Sequence, residues 1–191
     1  MRKTFATLAM LLALAACSSI PLGTANRLRS LDALNDDLAS LLIAFDVPLS
    51  LEPIPDGSTF SFDITTPASG ARHVKAVLIE TDANDLAGTL PPPADARNYF
   101  LFGFSEADKV AIRDAQAWAK TLPPGANALS ISLAPGFCRT AEIDPASVIV
   151  SVLVALPGTI GLAPLIGGQP LKALLAAAPG KDVPPCAGHS G

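Results

Sequence analysis

The sequence predicts a mostly β domain of the α+β class. We expect an antiparallel sandwich or sheet with an N-terminal helix, one inserted amphipathic helix and a C-terminal part closed by a disulfide. Three observations lead to this prediction. Short stretches of alternating apolar and polar residues are separated by turn residues, as in antiparallel strands. One segment combines helical spacing with a capping serine. The alternation of strands and helices that is typical of a parallel sheet is not seen.

The first sixteen residues form a segment that we exclude from the fold. Arg2 and Lys3 precede an uncharged apolar run over residues 5–16. That run is shorter than the roughly 20 residues that a membrane span requires. A basic start, a short apolar run and small residues before a break are typical of a secretory signal. The run ends in the sequence LAAC at residues 14–17, in which the small residues fit an extended peptide in a peptidase groove.

This ending resembles the lipobox of bacterial lipoprotein signal peptides, whose last residue is an obligatory cysteine. The resemblance covers residues 1–19 and implies that Cys17 is acylated, with palmitate among its chains, and becomes the first mature residue. Residues 1–16 are then a signal peptide, residues 17–25 a lipidated tether, and residues 26–191 one globular domain. In this class an Asp after the cysteine favours the inner membrane. Because Ser18 follows Cys17, the resemblance implies an outer-membrane anchor that faces the periplasm.

Composition limits the classes of partner. Removing the signal from the 191 residues leaves 175, which is the size of one domain with its own core. The mature part keeps 11 basic and 17 acidic residues, a net charge of −6. An acidic body without clustered basic residues argues against nucleic-acid binding. We expect no cofactor. The expected partners are membrane lipid, through acylated Cys17, and an envelope protein.

Two cysteines remain, Cys138 and Cys186. An even pair in an exported, oxidising location indicates a disulfide. Closing that loop stabilises the fold by about 4 kcal/mol on the chain-entropy model. A thiol nucleophile and a metal ligand are the alternatives. We expect no metal site, because neither His73 nor His189 lies at ligand spacing from a cysteine.

The segment that begins at Arg27 has helical periodicity. Its apolar residues recur at three- and four-residue intervals, which predicts a helix packed on the core. They are Leu31, Leu34, Leu38, Leu41 and Phe45. The end of this segment, LLIAFDVP, is equally compatible with a strand that ends at Pro48.

Clear strand patterns follow. A turn at residues 56–57 precedes a stretch in which Phe60, Phe62 and Ile64 share one face. The β-branched stretch HVKAVLIET predicts the next strand of a meander, and a proline-rich surface loop follows it. The stretch NYFLFGF predicts a further strand, because Phe100, Phe102 and Phe104 alternate along it.

Ser105 begins the segment with the clearest helix signal in the chain. Asp108 follows three residues later and forms a short variant of the capping box with it. One face carries mostly small or apolar side chains: Ala107, Ala111, Ala115, Trp118 and Leu122. The opposite face carries polar ones: Lys109, Arg113, Gln116 and Lys120. The stretch ALSISL then predicts a strand that points Leu129, Ile131 and Leu133 inward.

Residues 145–171 carry no charge. The stretch SVIVSVLVALPG predicts a buried strand followed by a loop, with a membrane-inserted segment as the alternative, which the prolines and glycines disfavour. LKALLAAA then predicts a short helix. The final residues predict an extended tail held back by Cys186.

No catalytic residue is predicted. The G-x-S-x-G elbow and the glycine-rich phosphate loops are missing from the sequence. His189 and Ser190 are neighbours on a terminal tail, and His73 is expected at a surface or sheet edge. The acidic pairs Asp36–Asp37 and Glu106–Asp108 indicate helix termini rather than an acid–base couple.

Two residue groups are candidate binding surfaces. The basic stripe of Lys109, Arg113 and Lys120 could contact anionic headgroups or an acidic partner, or could be a solvated face paired with nearby acids. The second group could line a cavity for acyl chains or be ordinary core. It consists of Phe60, Phe62, Phe100, Phe102 and Phe104.

Together these observations predict a non-catalytic accessory or interaction module, anchored in the outer membrane and facing the periplasm. The alternative function is that of a lipid or hydrophobic-ligand binding protein. A hydrolase whose site assembles from distant residues is the third.

Overall fold

The structure is a computed structural model that describes residues 32–54, 56–67, 70–81, 93–123, 128–155, 161–176 and 182–187. The predicted signal, the tether and Cys17 lie outside these residues. The described part contains nine strands: β1 Leu42–Pro48, β2 Leu51–Pro53, β3 Thr59–Thr66, β4 Gly70–Glu80, β5 Arg97–Phe104, β6 Ala128–Ala134, β7 Phe137–Arg139, β8 Ile149–Ala155 and β9 Ala163–Pro170. Its two α-helices are α1 Glu106–Lys120 and α2 Leu171–Ala176.

Seven strands form one antiparallel sheet in the order β6-β3-β4-β5-β1-β8-β9. The short strands β2 and β7 form a separate antiparallel ribbon. The mostly β, antiparallel class that the sequence predicts is therefore confirmed. β6 and β9 are the two edge strands of the main sheet. β6 pairs only with β3 and β9 only with β8 among the described strands.

The core lies on one face of the main sheet, which we call the inner face. Helix α1 covers part of it, since Arg72 on β4 places its guanidinium 5.0 Å from the ring centroid of Trp118 on α1. The β2–β7 ribbon covers another part, since the ring of Phe137 lies 5.4 Å from that of Phe45. Phe45 is fully buried at the centre of β1.

Helix α1 begins as the sequence predicts. The Ser105 Oγ accepts a hydrogen bond of 3.0 Å from the backbone N–H of Asp108 and donates one of 2.7 Å to the Asp108 carboxylate. This cap satisfies a backbone donor that the first turn would otherwise leave unpaired. Glu106 and Asp108 place negative charge at the positive end of the helix dipole.

The buried face of α1 is rotated relative to the predicted one. It consists of Ile112, Ala115, Gln116 and Ala119. Ala107, which the periodicity placed on the apolar face, is exposed, and Gln116, which it placed on the solvated face, is buried. The shift arises because tertiary contacts decide the face: burial of the small Ala107 side chain would add little, and the buried amide of Gln116 finds backbone acceptors.

The N-terminal periodic segment is not one helix through Phe45. From Asp32 it makes turns, a 3-10 turn at Leu38–Ser40 and then strand β1, which ends at Pro48. The strand alternative for LLIAFDVP is thus confirmed. Strand β1 pairs with β5 on one side and with β8 on the other. This pairing on both sides explains why its apolar run adopts the extended conformation of an interior strand.

The uncharged C-terminal region contains one strand more than the sequence predicts. β8 is the predicted buried strand, and α2 is the predicted short helix. Ala163–Pro170, which falls in the predicted loop, is strand β9 and pairs with β8 with two register shifts. Among the residues that the structure describes, no helix is long and apolar enough to span a membrane.

The predicted turn at Asp56 and Gly57 is present, with Asp56 at a φ of 57°. It brings the chain against the link between β6 and β7. A Cβ on Gly136 would lie 2.5 Å from the carbonyl oxygen of Gly57, so only glycine fits there without a backbone shift. The Gly136 N–H donates to the Ser58 Oγ at 3.0 Å and fixes this contact.

Candidate functional site

The predicted disulfide is present and ties the C-terminal segment to the β2–β7 ribbon. Cys138 and Cys186 are both buried, and their Cα atoms lie 4.9 Å apart. The Arg139 N–H donates to the Pro184 carbonyl at 2.8 Å, and the Cys186 N–H donates to the Arg139 carbonyl at 2.9 Å. These bonds explain why the tail runs beside β7, where the two sulfurs meet.

A carboxylate oxygen of Glu52 lies within 4.8 Å of both sulfurs, because Glu52 is the cross-strand partner of Cys138. In a reduced protein these three groups could bind a metal ion. In this structure both sulfurs form the disulfide, and neither is a thiolate ligand. Cys17, the predicted lipidation residue, lies outside the described residues.

The basic stripe on α1 faces acidic partners. The Lys109 Nζ lies 2.7 Å from the Glu106 carboxylate. The Arg113 guanidinium donates two hydrogen bonds, of 3.1 and 2.9 Å, to the two carboxylate oxygens of Asp37. The Arg113 bonds hold the pKa of Asp37 below its ordinary value, and the Lys109 bond lowers the pKa of Glu106.

Lys120, the third member of the stripe, is exposed at the end of α1. Its charge contributes to a lowered pKa of Asp32, although the largest cause there is a hydrogen bond from the Asn35 side chain. Each of the three predicted contact residues therefore lies near an acidic group of the same chain. An anionic headgroup at this stripe would compete with these acids.

Gln116, which the helical periodicity placed on the solvated face of α1, binds the N-terminal turns. The side-chain amide of buried Gln116 donates to the carbonyl oxygens of Ala33, at 2.9 Å, and Asp36, at 2.8 Å. The sequence signal for this role is the spacing of Ile112, Gln116 and Ala119, which places all three residues on one face of a helix. The structure buries that face.

The five phenylalanines form part of the core. Phe60, Phe62, Phe102 and Phe104 are buried, and Phe100 is half-buried against them. The rings of Phe60 and Phe104 lie 5.0 Å apart in an edge arrangement. These rings therefore pack on one another within the core cluster.

Two clefts reach the edge of this aromatic cluster. One, of about 230 Å³, touches Phe102, and the other, of about 330 Å³, touches Phe104. Both also touch Ile79 and Glu80 at the end of β4. Their volumes lie at or below the lower end of the range for small-molecule pockets.

A third cleft, of about 430 Å³, lies between helix α2 and the loop before β8. Its wall contains Asp144, Lys172 and Leu175. Asp144 is committed to its own loop, since its side chain accepts from the Ala146 N–H at 3.0 Å and its carbonyl from the Ser147 N–H at 3.0 Å.

The His73 Nδ1 contacts the carboxylate of Asp63, its cross-strand partner on β3. Both side chains lie on the outer face of the sheet, where His73 is 59% and Asp63 37% exposed. Ser130 is the partner of Asp63 on its other side, in β6. Asp63 therefore separates His73 from Ser130 by two strand spacings, about 9.6 Å. A serine activated by histidine needs direct hydrogen-bond contact, which this arrangement does not provide.

Strand β6 is an exposed edge strand, although its alternating pattern predicts side chains that point into the core. By register, Leu133, Ile131 and Leu129 lie opposite Phe60, Phe62 and Ile64, and so belong to the inner face. However, Leu129 is 39% and Ile131 40% exposed, and residues 128–132 are all exposed. No strand pairs with the second side of β6 in the part of the chain that the structure describes.

The chain matches no family model, no curated protein and no solved structure in the three comparisons.

Proposed function

We propose that this protein is a bacterial envelope lipoprotein, anchored in the outer membrane through acylated Cys17 and facing the periplasm, where it acts as a non-catalytic interaction module. The observation that carries the proposal is the sequence LAAC at residues 14–17, after a basic start and a short apolar run. A protein with one acyl chain binds membranes only marginally, whereas several chains give a stable anchor.

The Cys138–Cys186 disulfide supports the exported location. Disulfides form and persist in oxidising compartments and are rare in the cytosol. This one joins the tail to the ribbon across a separation of 48 residues, so it constrains a large part of the fold.

The arrangement of polar groups supports an interaction role rather than a catalytic one. His73 is paired with Asp63 on an open sheet face, outside any cleft described above. Arg113 and Lys109 are in ion pairs on the surface of α1. By contrast, no strand of the described residues pairs with the second side of β6, which also exposes apolar side chains. An open strand edge with apolar side chains has the features that bind another polypeptide strand.

The proposal is tested by expressing the full chain in a bacterium with labelled palmitate. The wild-type protein should carry the label and sediment with outer membranes. Cys17→Ser should carry none and remain as unprocessed precursor. The matched control, Ser18→Ala, keeps the cysteine and should be labelled like the wild type. Label on Cys17→Ser, or none on the wild type, would contradict the proposal.

A further inference from the structure

We infer that strand β6 is the site at which a second copy of this chain binds, by antiparallel pairing of the two β6 edges about a twofold axis at Ile131. The inference deepens the proposed interaction role, on which it rests, by naming the surface and the partner. The main sheets of the two copies would then join into one continuous sheet of fourteen strands, twice the seven of one copy.

The sequence of β6 is a palindrome, ALSISLA, centred on Ile131. In an antiparallel pair about a twofold axis at its centre, each residue therefore meets a residue of its own type. Ile131 meets Ile131 of the second copy, Leu129 meets Leu133, and Ser130 meets Ser132. The two leucines and the isoleucine share the inner face, so the apolar side chains pair with one another and the serines pair on the outer face.

Nothing in β6 blocks strand addition. Natural edge strands are protected by charged side chains, prolines or bulges. β6 contains none of these residues and pairs with β3 in continuous register over seven residues. The opposite edge, β9, is protected: it contains Pro164 and Pro170, adjacent glycines at 167 and 168, and two register shifts against β8.

Charge favours a second copy at this edge. The mature chain carries a net charge of −6, so most of its surfaces would repel another copy. The seven residues of β6 are uncharged, so their pairing opposes no like charges. The acidic side chain on the neighbouring strand, Asp63, lies on the outer face, opposite to the face that Leu129, Ile131 and Leu133 share, and contacts His73.

A second copy would also bury apolar area at this edge. Leu129 and Ile131 lie on the same face as the core but at the end of the sheet, where water reaches them. A β6 strand from a second copy would place its own Leu133 and Ile131 against them and extend the apolar inner face. An acyl anchor would confine both copies to one membrane, which raises their effective concentration.

The test is a cysteine cross-link in envelopes from cells that express the full chain. Directly opposed residues in an antiparallel pair have Cβ atoms about 4.5–5.5 Å apart. Ile131→Cys should therefore form a disulfide-linked dimer on mild oxidation, visible on a non-reducing gel and lost on reduction. No dimer with this variant would overturn the inference.

Two controls use the same design. Leu133→Cys lies on the same strand and face, but a twofold axis at Ile131 puts the two Leu133 positions about 13 Å apart, so no dimer should form. The double variant Leu129→Cys, Leu133→Cys should form a disulfide-linked dimer, because position 129 of one copy lies opposite position 133 of the other. Val77→Cys, on the outer face of β4 with an exposed fraction of 36%, should stay monomeric. A dimer of Leu133→Cys or Val77→Cys as abundant as that of Ile131→Cys would overturn the inference, as would linkage of Ile131→Cys to a different polypeptide.

A second measurement uses wild-type protein in mild detergent. Its mass by analytical ultracentrifugation should be that of a dimer, and Ile131→Lys should shift it to a monomer, because a lysine on an edge strand blocks pairing. Ile131→Val should remain a dimer. An unchanged melting temperature in Ile131→Lys separates loss of pairing from unfolding. A wild-type monomer, or a dimer that persists in folded Ile131→Lys, would contradict the inference. Acylation is measured separately, by palmitate label, so failure of the anchor and failure of the dimer are distinguished.

Discussion

Gln116 on helix α1 donates a hydrogen bond of 2.8 Å to the backbone carbonyl of Asp36, eighty residues earlier in the chain. A second hydrogen bond from the same amide reaches the carbonyl of Ala33. Arg113, one turn before Gln116, binds the side chain of Asp37. Helix α1 thus holds the turns that precede β1, and β1 is an interior strand of the sheet, between β5 and β8. The N-terminal turns are part of the folded domain through these contacts.

The first prediction concerns Gln116→Leu. The leucine fills a similar volume but leaves the carbonyls of Ala33 and Asp36 without their donor. We expect the free energy of unfolding to fall by about 1–3 kcal/mol, measured by urea denaturation. Gln169→Leu, at a half-buried position on β9, is the control and should have a smaller effect. Equal stability of Gln116→Leu and the wild type would mean that these hydrogen bonds do not stabilise the fold.

The second prediction concerns the disulfide. Replacing both Cys138 and Cys186 with alanine should lower the free energy of unfolding by about 4 kcal/mol, because the unfolded chain gains the freedom that the cross-link removes. Thermal denaturation of the oxidised proteins measures the change. Reducing the wild type should bring its melting temperature towards that of the double variant, and reductant should leave the variant unchanged. A wild type insensitive to reduction would show that the bridge is absent.

The third prediction is a pH dependence from Asp37. Arg113 lowers the pKa of this carboxyl below its ordinary value of 3.8 in the folded state. The resulting stabilisation is present above pH 3.8 and is lost as the pH falls through the lower, folded-state pKa. The difference in unfolding free energy between the wild type and Asp37→Asn should therefore shrink as the pH falls below 3.8.

Urea denaturation at a series of pH values tests this dependence. Asp95→Asn, at an exposed position before β5, controls for the loss of one negative charge. A difference between the wild type and Asp37→Asn that stays constant across the acidic range would contradict the role of the Arg113 pair.

The fourth prediction distinguishes core packing from ligand lining at the phenylalanines. Phe62 is fully buried, and Phe62→Ala should cost about 3–5 kcal/mol of stability, measured by urea denaturation. Phe100→Ala, at a half-buried position, should cost less. A small effect of Phe62→Ala would indicate a ring beside an open cavity rather than one in a filled core.

Local signals in the sequence predicted much of the fold. The alternating phenylalanines predicted β5, and Ser105 with Asp108 predicted the start of α1, because strand alternation and helix capping involve residues close in the chain. The pairing of Cys138 with Cys186 was also predictable, since the one other cysteine of the sequence, Cys17, lies in the segment that resembles a lipobox.

Features that depend on distant partners were not predictable in this way. The burial of Gln116 depends on the carbonyls of Ala33 and Asp36, which lie 83 and 80 residues earlier in the chain. β9 is a strand because β8 offers it a free edge, although its prolines and glycines favour a loop. The exposure of Leu129 and Ile131 depends on the position of β6 at the end of the sheet, which alternation along the strand does not reveal.

The most direct test of the proposed lipid anchor is the intact mass of the protein purified from native cells. We expect a chain that begins at Cys17, carries a diacylglyceryl thioether and an N-terminal acyl group, and contains the Cys138–Cys186 disulfide. A protein that begins at Met1 without acyl groups would contradict it.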